Sequence, residues 1–235
     1  MKVSKFGGTS VASAEQINKI ASIVKADPSR KIIVVSAPGK RSNKDIKITD
    51  LLINLAEQTL EKKDTTSLQN QIIDRFHIIA EELLVGKEIV ESISNDLSRR
   101  LKDTHLTKNQ FIDQLKAAGE DNNAKLIAAY FNNIGLPAQY MNPKEAGLIV
   151  TDFPQPTQAT EEAYKNLSEL QHSDKIIVFP GFFGFTKSGL LRTFNRGGSD
   201  ITGSILAAAV NASVYENFTD VDCVFSANPK VVNSP

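Results

Sequence analysis

The sequence predicts an α/β fold built on a mainly parallel sheet. Short β-rich runs alternate with longer segments of helical apolar spacing, and the strand-like runs tend to end in a glycine or small polar cluster. The run Ile32-Ile33-Val34-Val35 is apolar throughout, as a central strand covered by helices on both sides must be. With 235 residues the chain can bury a sizeable core. No repeat, low-complexity tract or linker divides it, so residues 1–235 are read as one domain.

The elements follow in order. Val3-Ser4-Lys5-Phe6 reads as the first strand and breaks at Gly7-Gly8-Thr9-Ser10. Ile17, Ile20, Ile23 and Val24 recur at helical spacing behind that break. Ile32 to Val35 forms the second strand and delivers Ser36-Ala37-Pro38-Gly39-Lys40. From Ile48 to about Tyr130 the pattern is almost wholly helical: Leu51, Leu52 and Leu55, then Ile72, Ile73, Phe76, Ile79 and Ala80, then Ile89, Ile93 and Leu97, then Phe111 and Leu115, then Leu126, Ile127 and Tyr130. Such an insert is expected to form a lobe over one edge of the sheet. Strand-like runs return at Pro137 to Met141, Gly147 to Thr151 and Lys175 to Phe179, with a helix from about Thr160 to Leu170 between the last two. A hairpin is expected from Phe183 to Phe194, turning at Lys187-Ser188-Gly189. A helix with Ile201, Ile205, Ala208 and Ala209 on one face follows, and Ala212 to Phe218 makes a last strand ending at Thr219-Asp220.

Composition excludes several functions. Twenty-seven basic and 27 acidic residues cancel, so bulk electrostatics favours neither nucleic acid nor an anionic membrane as partner. One cysteine, Cys223, rules out an internal disulfide and any multi-cysteine metal site. No stretch has signal-peptide or membrane-span character, which places the expected location in the cytoplasm. His77, His105 and His172 have no partner at ligand spacing, and no serine stands in a nucleophile elbow. Neither a Walker-type phosphate loop nor a G-x-G-x-x-G fingerprint is present, so nucleotide chemistry here needs a different cradle.

Three polar loops offer one: Gly7-Gly8-Thr9-Ser10, Ser36-Ala37-Pro38-Gly39-Lys40 and Arg196-Gly197-Gly198-Ser199-Asp200. In an open parallel sheet such loops gather at the carboxyl ends of the strands. The pair Gly197-Gly198 bares main-chain N–H groups ahead of a helix whose positive dipole end points at the same spot. Arg196 adds a planar fork for a carboxylate or phosphate, while Ser199 and Asp200 either cap the helix or align reactants. Lys5, inside an apolar strand, either meets an anion or belongs to an edge strand and points to water. Thr219-Asp220-Val221-Asp222 reads as a ribose or Mg²⁺ contact, or as a plain turn. Glu120 and Asp121, after Ala118-Gly119, read as a helix start; alternatively Glu120 receives a substrate ammonium.

Taken together, Lys5-Phe6-Gly7-Gly8-Thr9-Ser10-Val11, Val34-Val35-Ser36-Ala37 with Thr49-Asp50-Leu51-Leu52, Gly119-Glu120, Gly181-Phe182, Arg196-Gly197-Gly198-Ser199-Asp200 and Phe218-Thr219-Asp220-Val221-Asp222 resemble the aspartokinase family, in order and over nearly the whole chain. The resemblance implies a three-layer α/β/α sandwich of the amino-acid kinase (carbamate kinase-like) fold. It implies an aspartate-binding lobe over about 1–170 and a nucleotide-binding part over about 171–235. The activity implied is MgATP-dependent phosphorylation of the side-chain carboxylate of L-aspartate to 4-phospho-L-aspartate, the step that opens lysine, threonine and methionine biosynthesis. A homo-oligomer is implied for the full-length enzyme.

Carried over by residue, the resemblance makes Lys5 the cation that bridges the phosphates and Asp200 the acid that orients it. Thr49, Glu120, Phe182, Arg196 and Ser199 match aspartate-binding positions, Arg196 on the α-carboxylate and Glu120 towards the α-ammonium. Lys5, Phe6, Gly7, Gly8, Ser10, Ser36, Thr219, Asp220, Phe225 and Lys230 match nucleotide contacts, with Mg²⁺ carried mainly by ATP. The chain departs from the family at Cys223, usually glycine, and at Asn228-Pro229-Lys230, usually Asp-Pro-Arg. A lysine point charge in place of an arginine fork is expected to weaken nucleotide binding. The family's kinase domain runs on with further strands, another ATP-contacting lysine and paired ACT domains, so the chain is expected to be short at its nucleotide end, which bears directly on its activity as it stands. Another acyl-phosphate-forming amino-acid kinase, and a fragment that binds without turnover, are the competing readings.

Overall fold

A computed structural model describes residues 1–103, 105–195 and 197–219. The elements in chain order are β1 (Lys2–Phe6), α1 (Ala14–Ala26), β2 (Arg30–Val35), α2 (Ile48–Leu60), α3 (Thr66–Glu82), α4 (Lys87–Leu101), α5 (Lys108–Asn133), β3 (Ala138–Tyr140), α6 (Glu161–Leu167), β4 (Ile176–Pro180), β5 (Phe183–Phe185), β6 (Leu191–Thr193), α7 (Gly198–Ala209) and β7 (Val214–Phe218). Five strands form one sheet in the order β3-β4-β2-β1-β7, and β5 and β6 form the expected hairpin. Every pairing in the larger sheet is parallel. Because β7 pairs with β1, residues on either side of position 170 share this sheet.

Strand alternation sorts the side chains into two cores. Phe6, Ile33, Val35 and Val178 pack with the apolar stripes of α1 to α5. Val3, Ile32, Val34, Ile177 and Phe179 pack with α6 and α7. The result is three layers, helix on sheet on helix, with β2 apolar on both faces for that reason. Among the described residues no helix is long and apolar enough to cross a membrane.

Three expectations need correcting. The helical insert covers a face of the sheet, not an edge: α5 lies across β2, β3 and β4, with Leu115, Leu126, Ile127 and Phe131 fully buried. Periodicity shows which side of a helix is apolar but not which surface will take it. The run from Gly147 to Thr151 adds no strand to the main sheet; Ile149 and Val150 make isolated bridges to Phe185 and Ala159. There Gly184 lets the hairpin approach so closely that an added Cβ would lie 2.7 Å from Val150 Cγ1. On α7 the buried face is Thr202, Ile205 and Leu206, leaving Ile201 exposed. Thr202 can sit inside because its hydroxyl donates to the Gly198 carbonyl at 2.9 Å and accepts from the Phe182 N–H at 3.0 Å.

Candidate active site

The loops that leave β1, β2, β4 and β7 all open at the carboxyl edge of the sheet. The helices after β1 and β2 lie on one face and α7, which follows β4, on the other, so the chain parts between β2 and β4. Open α/β sheets place their ligands at such a switch point. Here it opens into a cleft of about 730 Å³.

At its floor stands Lys5. β1 runs between β2 and β7, so Lys5 is no edge lysine; it is buried and its Nζ lies 2.7 Å from Asp200 Oδ1 in the first turn of α7. Asn217, the register partner of Lys5 on β7, donates to the same carboxylate oxygen at 3.0 Å. A buried ammonium is thus held in place by one carboxylate that is itself half exposed to the cleft. An arriving polyanion can take up that cation without burying a new charge.

Two loops touch backbone to backbone above Lys5. The Gly39 N–H donates to the Gly8 carbonyl at 2.8 Å, and a Cβ on Gly39 would stand 2.6 Å from the Gly8 carbonyl carbon. Glycine is required there by close approach, not by an unusual dihedral angle. Helices α2 and α7 both begin at the cleft, and the first-turn N–H groups of each have no partner within the helix. Gly197 enters α7 with φ of 83°, the left-handed region. Gly198 lies so close under Phe182 that a Cβ would meet Cδ2 at 2.5 Å.

Opposite Lys5, α5 presents Glu120. It lies in the middle of this 26-residue helix, not at a helix start as Ala118-Gly119 suggested. Gly119 is present because a Cβ would meet the Ala37 Cβ at 2.7 Å; it allows contact between helix and loop. Four consecutive polar residues, Glu120 to Asn123, are buried on this turn. Asp121 accepts from Arg100 at 2.6 Å, Asn122 donates to Asp96 at 3.2 Å and Asn123 to the Ser36 carbonyl at 2.7 Å. Glu120 Oε2 has no hydrogen-bond partner and the residue lines the cleft. Burial pushes its carboxyl up to about 8, against the opposing pull of the Ala37 and Glu120 backbone N–H groups and of Lys116.

The structure therefore gathers Lys5, Gly7, Gly8, Ser36, Thr49, Glu120, Phe182, Ser199, Asp200 and Thr219 on one cleft. Phe6 and Ser10 are not on its wall: the Phe6 ring stacks on Phe218 at 4.7 Å, turned by strand alternation away from Lys5, and Ser10 lies in a 3₁₀ turn behind Gly8. Arg196, Asp220, Cys223, Phe225, Asn228 and Lys230 lie outside the described residues. Sequence reasoning missed Lys47, Arg41 and Asp50 on the wall, and Asn123 and Asn217 behind it. Asn217 had a signal, a polar side chain two residues before Thr219 in a strand. All three histidines are exposed. Among the described residues no group of three or more His, Cys, Asp or Glu side chains could hold a metal ion.

The profile of the amino acid kinase family matches residues 1–235. Aspartokinase 3 of Bacillus subtilis (strain 168) is 52% identical over 235 residues, 100% of this chain and 52% of that protein. The crystal structure of Clostridium acetobutylicum aspartate kinase shares 33% identity with a TM-score of 0.82, covering 100% of this chain and 51% of its own. That of E. coli aspartokinase III in complex with aspartate and ADP shares 27% identity with a TM-score of 0.82, covering 99% and 52%. The chain spans about half the length of these relatives. On the match over its whole length, on its three-layer parallel fold and on the loops gathered at its switch point, the chain belongs to the amino acid kinase family.

Proposed function

We propose that this chain forms the aspartate- and phosphate-binding part of an ATP-dependent kinase. Its reaction phosphorylates the side-chain carboxylate of L-aspartate to 4-phospho-L-aspartate, opening lysine, threonine and methionine biosynthesis in the cytoplasm. The observation that carries the reading is the buried Lys5 ammonium, 2.7 Å from the half-exposed Asp200 carboxylate, between two helix N-termini and opposite a buried carboxyl with one oxygen unpartnered. One end of the cleft suits a polyanion, the other an ammonium. Complexes of E. coli aspartokinase III with aspartate and ADP support the same pairing of ligands.

In this reading the α-ammonium of aspartate goes to Glu120, and its α-carboxylate to Arg196 and to the N–H groups around Ser199. The side-chain carboxylate is then aimed at Lys5. It is ionised near neutral pH, so no general base is needed, in keeping with a cleft wall that has no histidine. Lys5 leaves Asp200 for the oxygens of the transferring phosphoryl group, where its charge counts most as negative charge spreads in the transition state. The N–H groups of Gly8, Gly197 and Gly198 hold the remaining phosphate oxygens, that of Gly7 being taken by the Phe218 carbonyl at 3.1 Å. Mg²⁺ carried on the phosphates of ATP would neutralise charge there, and Asp50 and Asp200, carboxylates on the described wall, are the residues that would hold it. Residues on both sides of position 170 contribute to each end of the cleft, Lys5, Gly8 and Glu120 from the first part and Phe182 and Gly197 to Asp200 from the second.

Coupled measurement of ADP release with L-aspartate and with L-glutamate, beside calorimetric binding of each ligand, tests the reading. Aspartate-dependent turnover, or aspartate and MgADP binding to one site, supports it. Turnover with glutamate alone would overturn it.

A further inference from the structure

The segment that leaves β2, residues 39–47, puts Lys40, Arg41 and Lys47 on the cleft wall, yet it has little structure of its own. Its internal bonds are one turn, the Asp45 N–H donating to the Ser42 carbonyl at 3.1 Å, and contacts between Arg41 and the Asp45 carboxylate. Like charges on such a loop repel one another and favour an open, solvated form. The anchor comes from α3, a helix with no residue on the cleft. Arg75, buried between the apolar side chains of Ile72, Phe76 and Ile79, donates through Nη1 to the Gly39 carbonyl at 3.1 Å. Its Nη2 donates to Asp45 Oδ1 at 2.6 Å and to the Ile46 carbonyl at 3.2 Å. One planar guanidinium thus ties the first part of the loop to its last. Asp45 is shared: it also accepts from the Arg41 backbone N–H and from Arg41 Nε, both at 2.9 Å.

A guanidinium on the core side of α3 is costly to desolvate, and an aliphatic residue would pack there more cheaply. Its geometry shows what offsets that cost. Arg75 is nearly sequestered from solvent and fixed, whereas Arg41 remains 43% exposed on the cleft. Removing Arg41 from Asp45 therefore does not leave the carboxylate unpaired, because Arg75 stays.

We propose that Arg75 is a positioning residue: it fixes the 39–47 loop so that Lys40, Arg41 and Lys47 meet phosphate groups in the cleft, and it keeps Asp45 neutralised while Arg41 exchanges that carboxylate for phosphate. The inference rests on the reading of the cleft as a nucleotide-phosphate site. Arg75→Lys keeps the charge but not the fork that spans three acceptors.

The test compares wild-type chain with Arg75→Lys by calorimetric binding of tripolyphosphate and of L-aspartate, and by the rate of tryptic cleavage after Arg41 and Lys44. Tripolyphosphate affinity should fall about tenfold, with aspartate affinity changed by no more than about twofold and cleavage several-fold faster. Equal losses for both ligands, or no change in tripolyphosphate affinity, would overturn the proposal. Asp45→Ala cuts the same bridge from the loop side by removing the acceptor of Arg75 Nη2; it should also speed cleavage, and an unchanged rate would overturn the proposal even if Arg75→Lys does not fold. A wild-type chain that binds neither tripolyphosphate nor MgADP would instead defeat the nucleotide reading beneath it.

Discussion

Lowering the pH and replacing Glu120 by glutamine should weaken L-aspartate binding by one physical route. Glu120 is buried, one carboxyl oxygen has no partner, and burial pushes the group up to about 8. Without ligand it is therefore mostly protonated at neutral pH. An ammonium needs the carboxylate, so binding must expel the proton. At pH 6.5 that costs about 2 kcal/mol, at roughly 1.4 kcal/mol for each pH unit below the group's own value. The Kd for aspartate should fall about 25-fold between pH 6.5 and pH 8.5 and level off above that. Calorimetry in two buffers of different ionisation enthalpy counts the protons: about 0.8 should be released per aspartate bound at pH 7.5. Glu120→Gln should bind roughly 10- to 100-fold more weakly at pH 8.5, with no pH dependence and no proton release over this range. A wild-type Kd that is flat from pH 6.5 to 8.5, with heats independent of buffer, would show that Glu120 does not meet the ammonium or is already ionised.

The same group sets a stability trend of definite sign. Because its folded value, about 8, lies above the ordinary 4.5, its contribution is complete below pH 4.5 and is lost as pH rises through 8. Thermal unfolding of the ligand-free chain should show wild type losing on the order of 1 kcal/mol per pH unit relative to Glu120→Gln between pH 5 and 8. Lys5→Ala should lower kcat by about 100-fold or more while leaving calorimetric aspartate affinity within about threefold, since its charge is needed most in the transition state; a kcat near wild type would refute the role. Gly119→Ala should lower Tm in spite of alanine's better helix propensity, because the new methyl would stand 2.7 Å from Ala37 Cβ and overpacking costs about 1–3 kcal/mol. Asn217→Ala removes the second hold on Asp200 and should cut kcat severalfold with Tm nearly unchanged, as the side chain is exposed.

Which parts of this structure were legible from sequence follows from whether the cause is local. Strand β2, the hairpin and helices α2 to α4 rest on periodicity and formed where the spacing placed them, whereas α5 runs unbroken through the start expected at Glu120. The layer those helices occupy depends on which sheet face was still open, which no spacing encodes. Thr202 broke the apolar stripe of α7 because its polarity is cancelled by the Gly198 carbonyl and the Phe182 N–H, one of them distant in sequence. Gly119 misled for a related reason. In one dimension a glycine beside two acids reads as a break, whereas in three dimensions it is a contact point for residue 37.

The site shows the same division at the level of single side chains. Lys5 was legible because a cation in an apolar strand demands a partner, and the demand could be stated before Asp200 was placed against it. Glu120 made the same demand but was given a cheaper answer, a dipole contact at a helix start, and so its burial was missed. Arg75 and Asn123 make no demand in sequence: each sits in a helix with good spacing, and one polar residue in such a stretch is ordinarily a solvated one. What distinguishes them is that both bond to main-chain carbonyls of the loop after β2, Asn123 at Ser36 and Arg75 at Gly39 and Ile46. Two helix residues with no sequence mark of function therefore hold the two ends of the loop that carries the cleft's cations. A motif search would find the loop and miss what fixes its shape, so a chain that kept every motif but lost Arg75 should still look like a kinase and bind phosphate poorly.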